Sequence, residues 1–269
     1  IAKDQLLPIG ALNADGVLYG MHPSMQGVAS LFDSARCAVM ANVGPLIAPT
    51  TKAQYQQGSV PLPPQLFSHN DQQDQWHSLR GKAVSKTGWA GRIADLLASQ
   101  VSSQQLALNV SLSGNTFFQA GQVATPYIMG AAGATTFTGF GTTGAGLARK
   151  TAFQNVVNAS YGSVYERAYA EVQKRAVKYA DLVNGALAAA PPLATVFPAN
   201  SPLATQLQTV AKMIAVRDSL GMSRQVFFVA TGGFDTHDDQ LQDQPGLLGN
   251  VSASLEAFHA ATVELGVAE

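Results

Sequence analysis

Apolar positions along the chain alternate between two spacings, one of three to four residues and one of short unbroken runs closed by glycine or proline. The first spacing marks helices and the second marks strands buried in a sheet. Met25, Val28, Leu31 and Phe32 share one helical face, so 23–34 is expected to be a helix that leads into a strand over 37–43, ended by Gly44-Pro45. The proline-containing stretch 47–64 reads as a loop. Ser68 followed by Asp71 resembles a capping box opening the next helix, and a further helix spans 89–99. A second strand is expected over 105–112. The Gly-, Thr- and Ala-rich segment 114–146 reads as loops or short hairpin strands, a lid or insertion. Helical spacing over 153–190, with a break expected near Gly162, stops at Pro191-Pro192. Ser201-Pro202 opens a helix over 203–220 with Gly221 after it, the apolar run from Val226 to Val229 forms a strand buried on both faces, and 247–265 closes the pattern as a helix. Strands alternating with helices in this order predict one α/β domain over 1–269, a three-layer αβα sandwich with a largely parallel sheet.

The strand that begins at Val226 carries the main candidate chemistry. It stops at Gly232-Gly233 and presents Asp235 and His237 two positions apart. Ligands of open parallel sheets bind beyond the carboxyl ends of the strands, and the two glycines permit the turn that brings both side chains to one place. A carboxylate with an imidazole suits zinc, manganese or iron better than calcium. The alternative is a turn carboxylate beside a solvent-facing histidine. Ser68, at a helix start, faces free N–H groups and the positive end of the helix dipole, which makes it a candidate nucleophile. Taken alone, it reads first as a simple N-cap, since serine is a commonplace cap. His69 is a ligand, a general base or a surface residue. His22, His77 and His259 lack a ligand-type neighbour at chelating spacing and read as structural or exposed. Tyr161, Tyr165, Tyr169 and Tyr179 recur at roughly helical spacing and read as packing residues rather than a stacking platform.

Composition narrows the function classes. Only 12% of residues are charged and the net charge is −1, so nothing draws the chain to nucleic acid or anionic lipid. No apolar run is long enough to span a membrane. The single cysteine, Cys37, excludes an internal disulfide and, inside the expected strand, reads as a buried structural thiol. The chain opens on Ile1 and closes on Gly266-Val267-Ala268-Glu269 just after a helix, which suggests a fragment or processed form.

Four motifs then suggest a family: Asn42-Val43-Gly44-Pro45-Leu46; Leu66-Phe67-Ser68-His69-Asn70-Asp71-Gln72-Gln73 with Trp76; Gly88-Trp89-Ala90-Gly91-Arg92; and Gly232-Gly233-Phe234-Asp235-Thr236-His237-Asp238. In this order they resemble the DUF1501 proteins, a bacterial family that looks like a distant branch of the alkaline phosphatase and sulfatase superfamily. The resemblance runs over essentially the whole chain. It implies hydrolysis of phosphate or sulfate esters, a small anionic ester as substrate, Asp235 and His237 as ligands of a divalent metal (zinc or manganese), Ser68 with His69 in the nucleophile region, and a periplasmic or otherwise exported location. Family members also carry a Gly-Gly-Asp-Asn-like segment at the start, and Ser-Glu-Phe-Gly-Arg-Thr and Asp-His-Gly segments beyond the position of Glu269; none is in this sequence, so an incomplete metal shell is expected. The rival expectation is a non-catalytic exported protein that keeps the scaffold for binding or surface assembly.

Overall fold

Caps fix where the first helices begin. Thr51 accepts the N–H of Gln54 at 3.2 Å while Gln54 returns the bond to the N–H of Thr51 at 2.8 Å, a reciprocal box that opens helix α2, Lys52–Gln57, inside the stretch expected to be loop. Ser68 caps α3, His69–Ser78, and Ser201 caps α7, Pro202–Ala215, accepting from Ala204 N at 3.0 Å with proline at the first helical position. The computed structural model describes residues 1–10, 16–41, 43–101 and 105–269. Before α2 it forms the hairpin β1, Leu7–Pro8, and β2, Gly20–Met21, paired antiparallel, and helix α1, Gln26–Asp33. After α3 come α4, Trp89–Leu97; β3, Asn109–Ser111; a 3₁₀ turn, Phe117–Gln119; β4, Tyr127–Ile128; α5, Gly144–Val157; and α6, Val164–Ala188. β5, Val226–Phe228, and α8, Gln240–Glu264, follow α7.

Three strands form a wholly parallel sheet in the order β4-β3-β5, with Val110 opposite Tyr127 and Phe227. The expected mixed α/β fold with a parallel sheet is therefore present. Alternate residues of β3 and β5 serve different surroundings, as the two-residue period of a strand requires. Val110 and Phe227 join the main apolar cluster with Val183 of α6 and Val210 and Met213 of α7. Asn109 turns to α4 and the 3₁₀ turn, donating to Ala90 O at 3.2 Å and Gln119 O at 3.1 Å. Phe228 meets Phe118 and His77 of α3. Gln119, fully buried, donates to Val110 O at 3.1 Å and Val226 O at 3.0 Å and so ties the turn to two strands. Each large apolar side chain removed from water in the cluster contributes about 1.5–3 kcal/mol.

Several expectations are corrected. The described residues of 37–43 form no strand: Val39, Met40 and Val43 are exposed, because no neighbouring strand offers them a ladder. Cys37 is half-buried against α1 rather than sealed in a sheet. β5 is half-buried along its length, since it lies at an edge of the sheet. Segment 114–146 supplies β4 and the 3₁₀ turn. The long helical pattern is two helices broken at 158–163, near the expected Gly162. α7 ends earlier than expected, with Val216 at its C-cap, and α8 starts earlier and carries Pro245 inside it. Tyr165 and Tyr169 are exposed on α6, whereas Tyr179 packs edge-on against Tyr127 at 5.5 Å.

Candidate functional site

The segment that leaves β5 is held before it reaches Asp235. Gln206 of α7, nearly buried, brackets Ala230 with its amide: Nε2 donates to Ala230 O at 2.9 Å and Oε1 accepts from Ala230 N at 3.1 Å. Three residues on, Gly233 has φ +92°, a conformation that favours glycine, and a β-carbon there would lie 2.9 Å from Leu247 Cδ2 of α8, a side-chain end that would have to give way. His237 takes the left-handed conformation, φ +43°, which costs a non-glycine residue on the order of 1 kcal/mol. That turn folds its ring back onto Asp235. Nε2 of His237 stands 3.1 Å from Asp235 Oδ1, with the two side chains 77% and 62% exposed.

The separation has a chemical reading. Two donors bound to one ion at about 2.1 Å lie about 3.0 Å apart at a right angle and about 3.4 Å apart at the tetrahedral angle. The observed 3.1 Å falls between these and is equally an ordinary N–H···O hydrogen-bond length between the two side chains. The pair thus presents a carboxylate oxygen and an imidazole nitrogen at chelating distance beyond the carboxyl end of a parallel strand. Among the described residues, no group of three or more His, Cys, Asp and Glu side chains is placed to hold a metal ion. Further ligands to an ion at Asp235 and His237 would be water or substrate oxygens.

Ser68 stands at the start of α3. Its Oγ accepts from Asp71 N at 3.4 Å, the ordinary work of an N-cap, and His69 beside it is exposed. Helix α3 meets the end of β5 through its last turn, where the His77 ring lies 5.8 Å from Phe228 and 6.1 Å from Phe118. Nine helical steps of about 1.5 Å separate that contact from Ser68, roughly 13 Å along the axis. Among the described residues, Ser68 shares no hydrogen bond or ion pair with Asp235 or His237. Burial lowers the His77 pKa below the usual histidine value, against the opposing pull of Asp74, so the ring favours its neutral form between the two phenylalanines. His22 accepts from Ser24 N at 3.1 Å through Nδ1, the structural role expected of it.

The Gly88-Trp89-Ala90-Gly91-Arg92 motif is explained by packing. Gly88 N donates to Ala120 O at 2.8 Å, Ala90 O receives Asn109, and Arg92 donates to Thr87 O at 2.8 Å and Ser78 O at 2.7 Å. The two glycines let the 3₁₀ turn lie directly on α4.

A feature that sequence reasoning missed is a cleft with a volume of about 770 Å³ between the Val43–Ile47 stretch, the end of α3 and the loop after it. Arg80, Lys82 and Lys86 line it together with Trp76; Ser68, Asp235 and His237 do not. The signal was present, since three of the sixteen lysines and arginines fall within seven positions. The role of Gln206 carried no such signal, because its partner lies twenty-four residues away. No model of a protein family, no curated protein and no solved structure matches this chain.

Proposed function

We propose that the chain belongs to the DUF1501 branch of alkaline phosphatase-like proteins, with a three-layer αβα arrangement, and takes part in metal-dependent hydrolysis of phosphate or sulfate esters outside the cytoplasm. The observation that carries this reading is the 3.1 Å approach of Asp235 Oδ1 and His237 Nε2 on a backbone held by Gln206 and Gly233. A divalent ion, zinc or manganese, supplies Lewis-acid polarisation of an ester oxygen there. Asp235 offers a carboxylate oxygen and His237 its Nε2, and both are exposed enough to receive an ion from solvent. By the resemblance Ser68 would be the nucleophile, with His69 to take its proton, on an ester held at the pair; its Oγ accepts the Asp71 N–H at 3.4 Å.

Hydrolysis of 4-nitrophenyl phosphate and 4-nitrophenyl sulfate with added zinc or manganese tests the reading. Metal-dependent turnover that falls by about a hundredfold or more in Asp235→Ala, His237→Ala and Ser68→Ala is expected. Turnover unchanged in all three variants overturns it. The second reading, a non-catalytic exported binding or surface-assembly protein, is favoured by one observation: the cleft of about 770 Å³ is lined by none of these residues.

A further inference from the structure

Helix α3 ends at Leu79 in the left-handed conformation, φ +52°, and the loop that follows swings three cations into the cleft in succession. Gly81 packs so closely on the opposite wall that a β-carbon there would lie 3.0 Å from Pro45 O and 3.4 Å from Ile47 Cγ1. The wall is therefore built by backbone contact. Arg80, Lys82 and Lys86 line the cleft with no acidic side chain among its lining residues, and none of the three forms an ion pair among the described residues. Asp71 and Asp74 line a smaller adjoining depression instead.

Two further observations give the cleft a chemical character. Gln75, only 7% exposed, lines it; its Nε2 donates to Pro64 O at 2.7 Å, while its Oε1 is buried without a partner. The Nε2 bond ties this wall of the cleft to Pro64. Trp76 lines the same cleft with 46% of its surface exposed, beside the exposed Leu79 and Val84. Exposed aromatic and aliphatic surface next to unpaired cations suits a molecule with an apolar body and a charged end.

We infer that this cleft binds a small organic anion with an aromatic or aliphatic body. The cations hold the oxyanion and Trp76 covers the apolar body. The volume of about 770 Å³ lies within the range of small-molecule sites, and the concave shape does not match a flat membrane surface. A net charge of −1 for the whole chain removes the long-range attraction that nucleic acid binding requires. The inference goes beyond the proposed function and does not depend on the Asp235–His237 pair.

Calorimetric titration of the whole protein with phenyl phosphate, without added metal, tests it, with inorganic phosphate and benzyl alcohol as the separated halves of the probe. One saturable site per chain is expected, with each half binding roughly tenfold more weakly or less. The Lys82→Gln/Lys86→Gln variant should weaken phenyl phosphate by about tenfold, and raised salt should do the same. Both lysines are exposed, so the thermal transition of this variant should match wild type and serve as the check on folding. Lys3→Gln/Lys52→Gln, a double change of exposed lysines outside the cleft, should bind as wild type. The inference is overturned by absence of saturable binding, by equal affinity in the cleft-lysine variant, by equal affinity for inorganic phosphate, or by an equal loss in the Lys3→Gln/Lys52→Gln control. Lysine-dependent binding confined to vesicles of anionic lipid likewise overturns it and assigns the face to a membrane surface.

Discussion

Gly91→Ala adds one methyl group at the point where α4 and the 3₁₀ turn touch. The new carbon would stand 2.1 Å from both the carbonyl carbon and oxygen of Ala120 and 2.4 Å from Gly121 N, all backbone atoms that no rotamer change can move. Reaching ordinary contact requires a shift of about 1 Å or more, and overpacking of this kind costs about 1–3 kcal/mol. The displaced turn carries Gln119, whose two bonds to Val110 O and Val226 O contribute about 1 kcal/mol each. Alanine recovers about 1 kcal/mol in helix propensity. The net expectation is a loss of roughly 3 kcal/mol, or a fall of about 6–12 °C in Tm for a chain of this size. Gly185→Ala is the control: nothing lies within 4 Å of its β-carbon position in the interior of α6, so the same change should raise stability by about 0.5–1 kcal/mol. Thermal and urea unfolding of both variants measure the contrast. If Gly91→Ala is as stable as Gly185→Ala, the description of how the turn sits on α4 is wrong.

Other outcomes follow from individual contacts. Gln119→Met removes both donors but also an unpartnered buried oxygen, Oε1, so it should cost about 2 kcal/mol, and Gln119→Ala, which adds a cavity, clearly more; equal losses in urea unfolding would refute this. Burial tends to raise the Asp95 pKa, but bonds from the Ala124, Gln122 and Val123 N–H groups leave it below the usual carboxylate value. Its stabilising effect should be full above that usual value and lost as pH falls through the lower folded one, so the stability gap between wild type and Asp95→Asn should narrow in acid. Burial lowers the His77 pKa despite Asp74; the unfolded chain then takes up the proton more readily, and stability should drop as pH falls below about 6.5. His77→Phe should flatten that part of the pH profile.

How much was legible in the sequence depended on the range of the interaction. α3, α4 and the break between α5 and α6 could be read because caps, glycines and apolar spacing act within a few residues. The parallel pairing of β5 could be anticipated from its apolar run, but the strand expected over 37–43 is absent among the described residues because apolar character alone supplies no partner. At the candidate site, Gly232-Gly233 and the Asp235–His237 spacing marked the place. The bracket of Gln206 on Ala230 and the cleft wall formed by Gly81 against Pro45 depend on chain segments distant in sequence, so neither left a local signal.

Metal titration of the whole protein, followed by the NMR signal of the His237 ring and by calorimetry, bears most directly on the proposed site. One zinc or manganese ion per chain should bind and shift the His237 signal, with affinity reduced by about tenfold or more in both Asp235→Ala and His237→Ala. An undisturbed His237 signal, or equal affinity in the two variants and wild type, contradicts the proposal.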